Sequence, residues 1–349
     1  MCAAQRTPVE KVYFSQKPNS TVVIPEFFIA ISLIAAILAV IFWFAPRPRL
    51  DPVAPPSQVP QDLPIEDLPS WLHEHEQSHG HVIEGAEATI EWAEGAAVTD
   101  FCILYVHGFS ATRQEIAPIP ERVAAHFRAN ILHTRLAGHG LSENPMAATA
   151  EHWLQSMVDA WDIASRIGER VVIIAVSTGA PLSVWLNEQV AGTKQVHSFI
   201  FLSPNFRIRN PFGFLLTWPW AESWVPLVVG REHSWEPEHE LAAKYWTNRY
   251  ETQAIIEMQK VVDWTAKLKP AGDQPPMATL YMENDPTINH AAAVAFHDQW
   301  PSSAKQLHQV ILDADNPQHV FAGDITAPHR TDWCVEVCTR FIESLLAEA

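Results

Sequence analysis

Short apolar runs alternate with amphipathic segments from residue 81 onward, and this alternation constrains the fold more than any other feature. The run Val171–Val176 (VVIIAV) has no polar residue, which is typical of a strand buried on both faces. Comparable runs predict strands at Ala88–Trp92, Phe101–Val106, Asn130–Thr134, Ser198–Leu202, Ala278–Met282 and Gln309–Leu312. Helical spacing predicts helices at Glu115–Ala129, Trp153–Ile167, Pro181–Val190 and Thr331–Leu346. Strands that alternate with helices predict an α/β fold with a mostly parallel sheet flanked by helices.

Chemically reactive residues follow several of these strands within a few positions. In a parallel sheet the carboxyl ends of the strands meet at one edge, where ligands and reactive groups gather. The sequence therefore predicts one functional site at that edge. The residues that follow the strands are His107-Gly108, Gly138-His139-Gly140, Ser177, Asp285 and His319.

Ser177 lies between the strand Val171–Val176 and the next predicted helix. A strand–turn–helix with serine at its apex is the context of a nucleophile elbow, which needs small residues on both sides of the serine. Ala175 and Gly179 supply them, giving A-x-S-x-G where glycine more often stands first. One extra methyl group is a mild departure. The start of the helix also leaves free backbone N–H groups near the serine oxygen.

A serine hydroxyl needs a base to take its proton, and that base is usually a histidine oriented by a carboxylate. In this strand–turn–helix context the acid and then the histidine follow the serine along the chain. Asp285 comes just after the strand Ala278–Met282, with Glu283 as the alternative acid. His319 lies in the loop between the last predicted strand and the last helix. We therefore predict Ser177, Asp285 and His319 as catalytic residues.

The segment His107-Gly108-Phe109 follows another buried strand. A glycine there lets the backbone approach a substrate closely. We predict that the N–H groups of Phe109 and Thr178 form an oxyanion hole, with His107, Gly108 and Gly179 supporting the two turns. Such a donor lowers the reaction barrier by roughly 2.7–4 kcal/mol.

These motifs resemble the α/β-hydrolase superfamily, and within it the capped esterase, monoacylglycerol-lipase-like and serine-aminopeptidase-like group. A set of bacterial membrane-anchored α/β-hydrolases is also similar over several stretches. The resemblance extends over about residues 65–349, and it implies a Ser-Asp-His triad, a cap inserted in the fold, no cofactor and no metal. The stretches that carry it are HGFSATRQE (107–115), RLAGHG (135–140), VSTGAPLSVWL (176–186), LSPNF (202–206) and QHVFAGD (318–324).

The alternation is interrupted between Pro204 and about Pro270 by a long segment rich in tryptophan. We interpret residues 207–270 as a helical cap inserted between two strands of the sheet. The tryptophans are either packing groups of the cap or the apolar wall of a binding site, and the sequence leaves both interpretations open. They are Trp218, Trp220, Trp224, Trp235, Trp246 and Trp264.

The N-terminal part of the chain has a different character. Residues 1–26 form a tail, and Phe27–Ala45 has no charged residue. At ~1.5 Å per residue such a helix is roughly 28 Å long, about the thickness of a bilayer core. We expect a single transmembrane helix at 27–45, a Pro-rich spacer at 46–69 and a hydrolase domain at 70–349. Basic residues flank both sides of the helix, so the side of the membrane on which the domain lies stays open.

The net charge of the chain excludes one class of partner. The chain of 349 residues has a formal net charge of −17, whereas a nucleic-acid binder needs a basic surface. We therefore expect no nucleic acid partner. Together, the motifs and the apolar run predict a membrane-anchored serine hydrolase that cleaves small-molecule or lipid-like carboxylic esters with apolar acyl groups. A peptidase or thioesterase with the same triad, and a non-catalytic membrane-tethered binding module, are the alternatives.

Overall fold

The computed structural model of the protein describes residues 26–193, 195–311 and 315–348. The chain forms two compact units, one ending at Ala45 and one beginning at Pro46. In the first unit, helix α1 spans Glu26–Phe44, and its side chains from Phe28 to Phe44 are exposed. No helix within the described ranges combines the length and the apolar character needed to cross a membrane. Residues 1–25 of the predicted tail lie outside the described residues.

The second unit alternates strands and helices along most of its length. Its strands are β1 Thr89–Glu91, β2 Thr99–Val106, β3 Asn130–His133, β4 Gly168–Val176, β5 Val196–Leu202, β6 Glu232–Ser234, β7 Arg249–Glu251, β8 Met277–Met282 and β9 Lys305–Val310. Its α-helices are α2 Leu68–Ser78, α3 Ile119–Phe127, α4 Ala150–Ile167, α5 Gly179–Val190, α6 Ala221–Val229, α7 Glu240–Tyr245, α8 Gln253–Thr265, α9 His290–Gln299 and α10 Thr331–Glu348.

A central sheet joins seven strands of the described chain in the order β1-β3-β2-β4-β5-β8-β9. Strand β1 runs antiparallel to β3, and the other pairs of this sheet are parallel. The predicted mostly parallel sheet is thus confirmed. Parallel pairing brings the carboxyl ends of β2, β4 and β8 to the same edge of the sheet.

Helices cover both faces of the sheet because successive residues of a strand point to opposite sides. The odd-numbered residues of Val171–Val176 in β4 join the core that contains residues of α4 and α5. The even-numbered residues join the core that contains residues of α3 and α10. Burying each valine or isoleucine contributes about 1.5–3 kcal/mol, so β4 is anchored firmly where it ends beside Ser177.

Two elements depart furthest from the expected bounds. Helix α3 begins at Ile119, so residues 115–118 belong to the preceding loop and not to the predicted helix Glu115–Ala129. Strand β9 spans Lys305–Val310, several residues before the predicted Gln309–Leu312, and Leu312 lies outside the described residues. Strand β9 is an edge strand, and its sequence KQLHQV has neither a continuous apolar run nor a strict alternation that could mark it.

The expected cap lies between β5 and β8, and it is not wholly helical. Besides α6, α7 and α8, it contains an antiparallel pair of three-residue strands, β6 and β7. The residues of β6 are all exposed, so no alternation of apolar and polar side chains could reveal it in the sequence.

The Pro-rich segment 46–69 is not a free spacer. It belongs to the second unit, and its residues Leu50 and Val59 are buried in the core that contains residues of α4 and α5. Its backbone groups are bonded to the domain: Trp185 Nε1 donates to the Pro52 carbonyl at 3.0 Å, and Asp159 accepts from the Gln58 N–H at 2.7 Å. An extended proline-rich chain leaves its carbonyl groups unpaired, which makes them available to donors on a neighbouring surface.

Candidate active site

Ser177 lies at a sharp turn between β4 and α5. Its backbone has a φ of 51°, a left-handed conformation that is strained for a residue with a side chain. A Cβ on Gly179 would lie 2.5 Å from the carbonyl oxygen of Val106 in β2, so only glycine fits there. Ala175 is fully buried opposite Val106 in the sheet. The turn therefore needs the small neighbours that the sequence supplies.

The structure brings Ser177, His319 and Asp285 together from three loops at one edge of the sheet. The Nε2 atom of His319 lies 2.8 Å from Ser177 Oγ, and its Nδ1 atom lies 2.9 Å from Asp285 Oδ2. The other carboxylate oxygen, Oδ1, accepts from the N–H groups of Thr287 and Ile288 at 2.7 and 2.9 Å. With the carboxylate on Nδ1–H, Nε2 is left to accept the serine proton.

The charge state of Asp285 follows from these contacts. Burial raises its pKa, but the neighbouring His319 and the N–H groups of Ile288 and Thr287 outweigh burial, so the net pKa is lowered. Asp285 is 1% exposed, whereas Glu283 is exposed to solvent. The geometry therefore favours Asp285 over Glu283 as the partner of His319.

The turn at His107-Gly108-Phe109 lies beside Ser177. A Cβ on Gly108 would lie 3.1 Å from Ser177 Cβ. His107 accepts from the Leu136 N–H on Nε2 at 3.1 Å and donates from Nδ1 to the Gly108 carbonyl at 2.8 Å. Burial lowers the pKa of His107 to about 4, so it is a neutral brace of the turn.

The two predicted oxyanion donors have backbone N–H groups that donate to no other group in the described ranges. Thr178 follows the serine at the start of α5, and Phe109 follows Gly108. The Phe109 ring packs edge-on against Tyr250 of the cap, with ring centroids 5.4 Å apart. Both N–H groups belong to residues that line the same cavity as Ser177.

A second buried carboxyl group, Glu115, lies at the site and was not among the predicted residues. Its Oε2 accepts from the Gly108 N–H at 2.7 Å and from the Tyr105 hydroxyl at 3.2 Å. Its Oε1 would be 2.8 Å from a Cβ on Gly108. Burial raises the pKa of Glu115 to about 7, although the Gly108 N–H and His319 act in the opposite direction. The only sequence signal was an acidic residue close behind the H-G-F segment.

Further residues outside the predicted set hold the loops of the site. Arg209 of the cap donates from Nη1 to the carbonyl oxygens of Asn284 and Asp285, both at 2.7 Å. Ser203 Oγ donates to the His319 carbonyl at 2.7 Å. These bonds fix the backbone on both sides of the Asp285–His319 contact.

A cavity of about 630 Å³ is lined by Ser177 and His319 together with residues of the cap. Its apolar walls include Trp235, Trp246, Tyr250 and Met258. Two of the six cap tryptophans thus line the cavity, while Trp264 packs against the core of the second unit and Trp224 against Ala221 and Val225. The cap tryptophans therefore include both residues that pack and residues that line the cavity beside Ser177.

The polar lining of this cavity is acidic. Glu115, Glu236 and Glu238 contribute to it, and no lysine or arginine occurs among the described lining residues. Asn205 also lines it: its Nδ2 donates to Thr178 Oγ1 at 3.1 Å, and its buried Oδ1 has no partner within the described ranges.

Comparison with known proteins identifies the fold. No protein-family model matches the chain, and no curated protein matches it in sequence. Among solved structures, one of the metagenome-derived lipolytic enzymes LipS and LipT is 18% identical, with a TM-score of 0.61 over 76% of this chain and 100% of its own. Monoacylglycerol lipase of Paleococcus ferrophilus is 12% identical, with a TM-score of 0.53 over 73% of this chain and 99% of its own.

A soluble variant of monoglyceride lipase from Saccharomyces cerevisiae is 11% identical, with a TM-score of 0.50 over 75% of this chain and 93% of its own. The second unit therefore has the α/β-hydrolase fold, as the sequence motifs predict. At these identities the likeness establishes the fold, and the chemistry must be argued from the site.

Proposed function

We propose that the protein is a serine hydrolase that cleaves carboxylic esters through an acyl-enzyme on Ser177. The observation that carries the proposal is the 2.8 Å contact of His319 Nε2 with Ser177 Oγ, in line with the 2.9 Å contact of Nδ1 with Asp285. A serine hydroxyl in that position can lose its proton as it attacks.

In the first half of the reaction, Ser177 Oγ attacks the ester carbonyl carbon while its proton moves to His319 Nε2. Asp285 stabilises the positive charge that forms on the imidazole. The N–H groups of Phe109 and Thr178 stabilise the negative oxygen of the tetrahedral intermediate. When the C–O bond to the leaving group breaks, His319 returns the proton to the departing alkoxide, and the acyl group remains on Ser177.

In the second half, His319 takes a proton from a water molecule as that water attacks the acyl carbon. The second tetrahedral intermediate uses the same two N–H donors. Its collapse breaks the bond to Ser177 Oγ, which regains its proton from His319, and the carboxylic acid leaves. No other group is needed to balance protons and electrons over the cycle.

The substrate class is proposed from the cavity. Trp235, Trp246, Tyr250 and Met258 offer an apolar surface for an acyl chain, and aromatic side chains contribute most of the buried area in such sites. The acidic lining disfavours a substrate with a carboxylate near the ester. We therefore propose uncharged esters with apolar acyl groups, as in lipases and esterases.

A fluorophosphonate probe tests the proposed nucleophile. The wild-type protein should be labelled and the Ser177→Ala variant should not. No labelling of the wild type, or equal labelling of both proteins, would contradict the proposal. Chromogenic esters of graded chain length then test the acyl preference. Faster turnover of acetyl esters than of medium-chain esters would refute the apolar acyl group, and faster turnover of thioesters or peptides would favour the alternative activities.

We further propose that the apolar run Phe27–Ala45 attaches the protein to a membrane as a single span. Support for the span comes from the sequence alone, in which the whole run has no charged residue. The first residue of the second unit, Pro46, accepts a 2.9 Å hydrogen bond from the Trp220 N–H. The side chains of Trp218 and Trp220 are 44% and 42% exposed, and tryptophan favours the membrane–water interface.

Flotation of the full-length protein with phosphatidylcholine vesicles tests the attachment. The wild-type protein should float, and Ile37→Arg should not, because a cation in the middle of an apolar span costs about 2.5–3.5 kcal/mol. Val53→Arg is the matched control, since Val53 is an exposed apolar residue of the Pro-rich segment. A wild-type protein that does not float would overturn the attachment, and equal flotation of wild type and Ile37→Arg would show that this run is not what attaches the protein.

A further inference from the structure

A second polar cluster lies at the β1 edge of the central sheet, on the side covered by α3. It consists of Glu91 of β1, Glu121 of α3 and His133 of β3. Strand β1 has only three residues and pairs only with β3 in the described sheet. The cluster therefore lies where three elements meet and where the sheet has the fewest backbone bonds to hold it.

His133 is the unusual member of this cluster. It is fully buried, and neither of its ring nitrogens has a hydrogen-bond partner within the described residues. Leaving a buried polar group unpaired costs roughly 1–3 kcal/mol, and such groups in native proteins are often satisfied by an ion or a water molecule. Glu121 Oε2 is likewise buried without a partner in the described ranges.

The two distances from His133 to the carboxylates match the spacing of ligands around a zinc ion. His133 Nε2 lies 3.3 Å from Glu91 Oε1 and 3.6 Å from Glu121 Oε1, yet it is aligned for a hydrogen bond with neither. One ligand atom from each residue falls within 4.8 Å of the other two. Tetrahedral ligands about 2.0–2.2 Å from a zinc ion lie about 3.3–3.6 Å from one another.

We propose that Glu91, Glu121 and His133 bind a divalent transition-metal ion that joins β1 to β3 and α3. An imidazole nitrogen with two carboxylate oxygens is a typical ligand set for zinc and its neighbours, whereas calcium and magnesium prefer oxygen ligands alone. The Glu91 side chain is 47% exposed, so the ion has a path from solvent and a position for a water ligand.

The site is separate from the catalytic residues and independent of the proposed hydrolase activity. Its nearest link to them is Tyr105, whose ring contacts His133 at 6.0 Å between centroids and whose hydroxyl donates to Glu115. The expected role of the ion is structural, since it bridges three elements and lies outside the cavity that Ser177 lines.

Arg113 is the competing source of positive charge, because it interacts electrostatically with both Glu91 and Glu121. A guanidinium that moved onto the carboxylates would pair them without a metal. The two possibilities differ in the Arg113→Gln variant. A metal site binds zinc in the wild type and binds it as tightly or more tightly after the substitution, whereas carboxylates that are paired by Arg113 bind no zinc in the wild type.

The test is titration of chelator-treated full-length protein with zinc chloride, followed by thermal unfolding and calorimetry. At free zinc about 100-fold above the dissociation constant, the unfolding temperature should rise by several degrees, with one ion bound per chain. Glu91→Gln keeps the shape of a half-exposed side chain, so it should fold and should bind zinc at least about tenfold more weakly. Glu121→Gln should do the same.

His126→Asn is the matched control, because His126 contacts Glu343 at 2.9 Å in an exposed pair far less suited to hold an ion. It should bind zinc as the wild type does. The proposal is overturned if zinc neither binds nor stabilises the wild type, if Glu91→Gln and Glu121→Gln bind zinc like the wild type, or if His126→Asn abolishes binding. None of these measurements uses esterase activity, so a failure of the metal-site proposal can be distinguished from a failure of the hydrolase proposal.

Discussion

The carboxylate of Glu115 accepts a 2.7 Å hydrogen bond from the backbone N–H of Gly108. This bond fixes the turn that presents the Phe109 N–H to the proposed oxyanion. Glu115→Ala would leave the Gly108 N–H and the Tyr105 hydroxyl buried without a partner, and the turn could relax away from Ser177. We expect kcat for a chromogenic ester to fall by about tenfold to 100-fold, because removing one complete oxyanion donor costs about 10²–10³.

Glu115→Gln is the matched variant, since its amide oxygen can still accept from Gly108 and Tyr105. The kcat of Glu115→Gln should therefore stay much closer to that of the wild type than the kcat of Glu115→Ala does. If both variants turn over the ester like the wild type, Glu115 does not position the oxyanion turn.

The raised pKa of Glu115 predicts how the stability of the protein depends on pH. Burial raises its pKa to about 7, whereas an unfolded glutamate titrates near 4.3. Between these values the folded state binds more protons than the unfolded state, so this contribution to the free energy of unfolding falls as pH rises. From about pH 4 to pH 7, the free energy of unfolding of the wild type should fall by on the order of 3 kcal/mol relative to that of Glu115→Gln. Denaturant unfolding of both proteins at several pH values measures this difference. If the free energy of unfolding depends on pH in the same way for both proteins, the prediction is wrong.

The choice between Asp285 and Glu283 is tested by two isosteric substitutions. Asp285→Asn would remove the carboxylate 2.9 Å from His319 Nδ1 and favour the wrong imidazole tautomer, so kcat should fall by roughly 10³–10⁴. Glu283→Gln changes an exposed residue and should leave kcat within about twofold of the wild type, as surface substitutions usually do. Comparable losses in both variants would show that Asp285 is not the sole acid.

A structural feature can be predicted from the sequence when the residues that form it are close together along the chain. The elbow at Ser177 combines a buried strand, small neighbours and a helix start, all within about ten residues, so the sequence predicts it well. Glu115 is the first residue of a predicted helix that in the structure begins only at Ile119, and its role comes from a contact with Gly108. The bonds of Arg209 to Asp285 join residues far apart in sequence, and a single sequence contains no signal for such a pairing.

The Pro-rich segment shows the same limit. Composition predicts an extended chain, because proline restricts the backbone, but residues 65–67 form a turn of 3-10 helix and α2 begins at Leu68. Whether that chain is free depends on donors elsewhere, such as the Trp185 indole that bonds to Pro52. Composition contains no information about them.

Arg209 predicts a link between the cap and catalysis. It donates to the carbonyl oxygens of Asn284 and Asp285, so Arg209→Met should loosen the loop that aims Asp285 at His319. We expect kcat to fall by about tenfold with little change in KM, because a misplacement of about 1 Å can cost up to 100-fold. Arg207→Met alters an exposed arginine two residues away and should change neither constant. A matching loss in Arg207→Met would point to general damage of the cap.

The acidic lining of the cavity predicts discrimination by substrate charge. Glu115, Glu236 and Glu238 line it together with Ser177, and the described lining residues include no lysine or arginine to balance them. An ester with a carboxylate on its acyl chain should therefore have a higher KM than the uncharged ester of equal length, and added salt should narrow the gap. At low salt, the difference in KM should be smaller in the double variant Glu236→Gln and Glu238→Gln than in the wild type, and both substituted side chains are exposed. Equal KM values for the two esters at low salt would show that the acidic lining does not select the substrate.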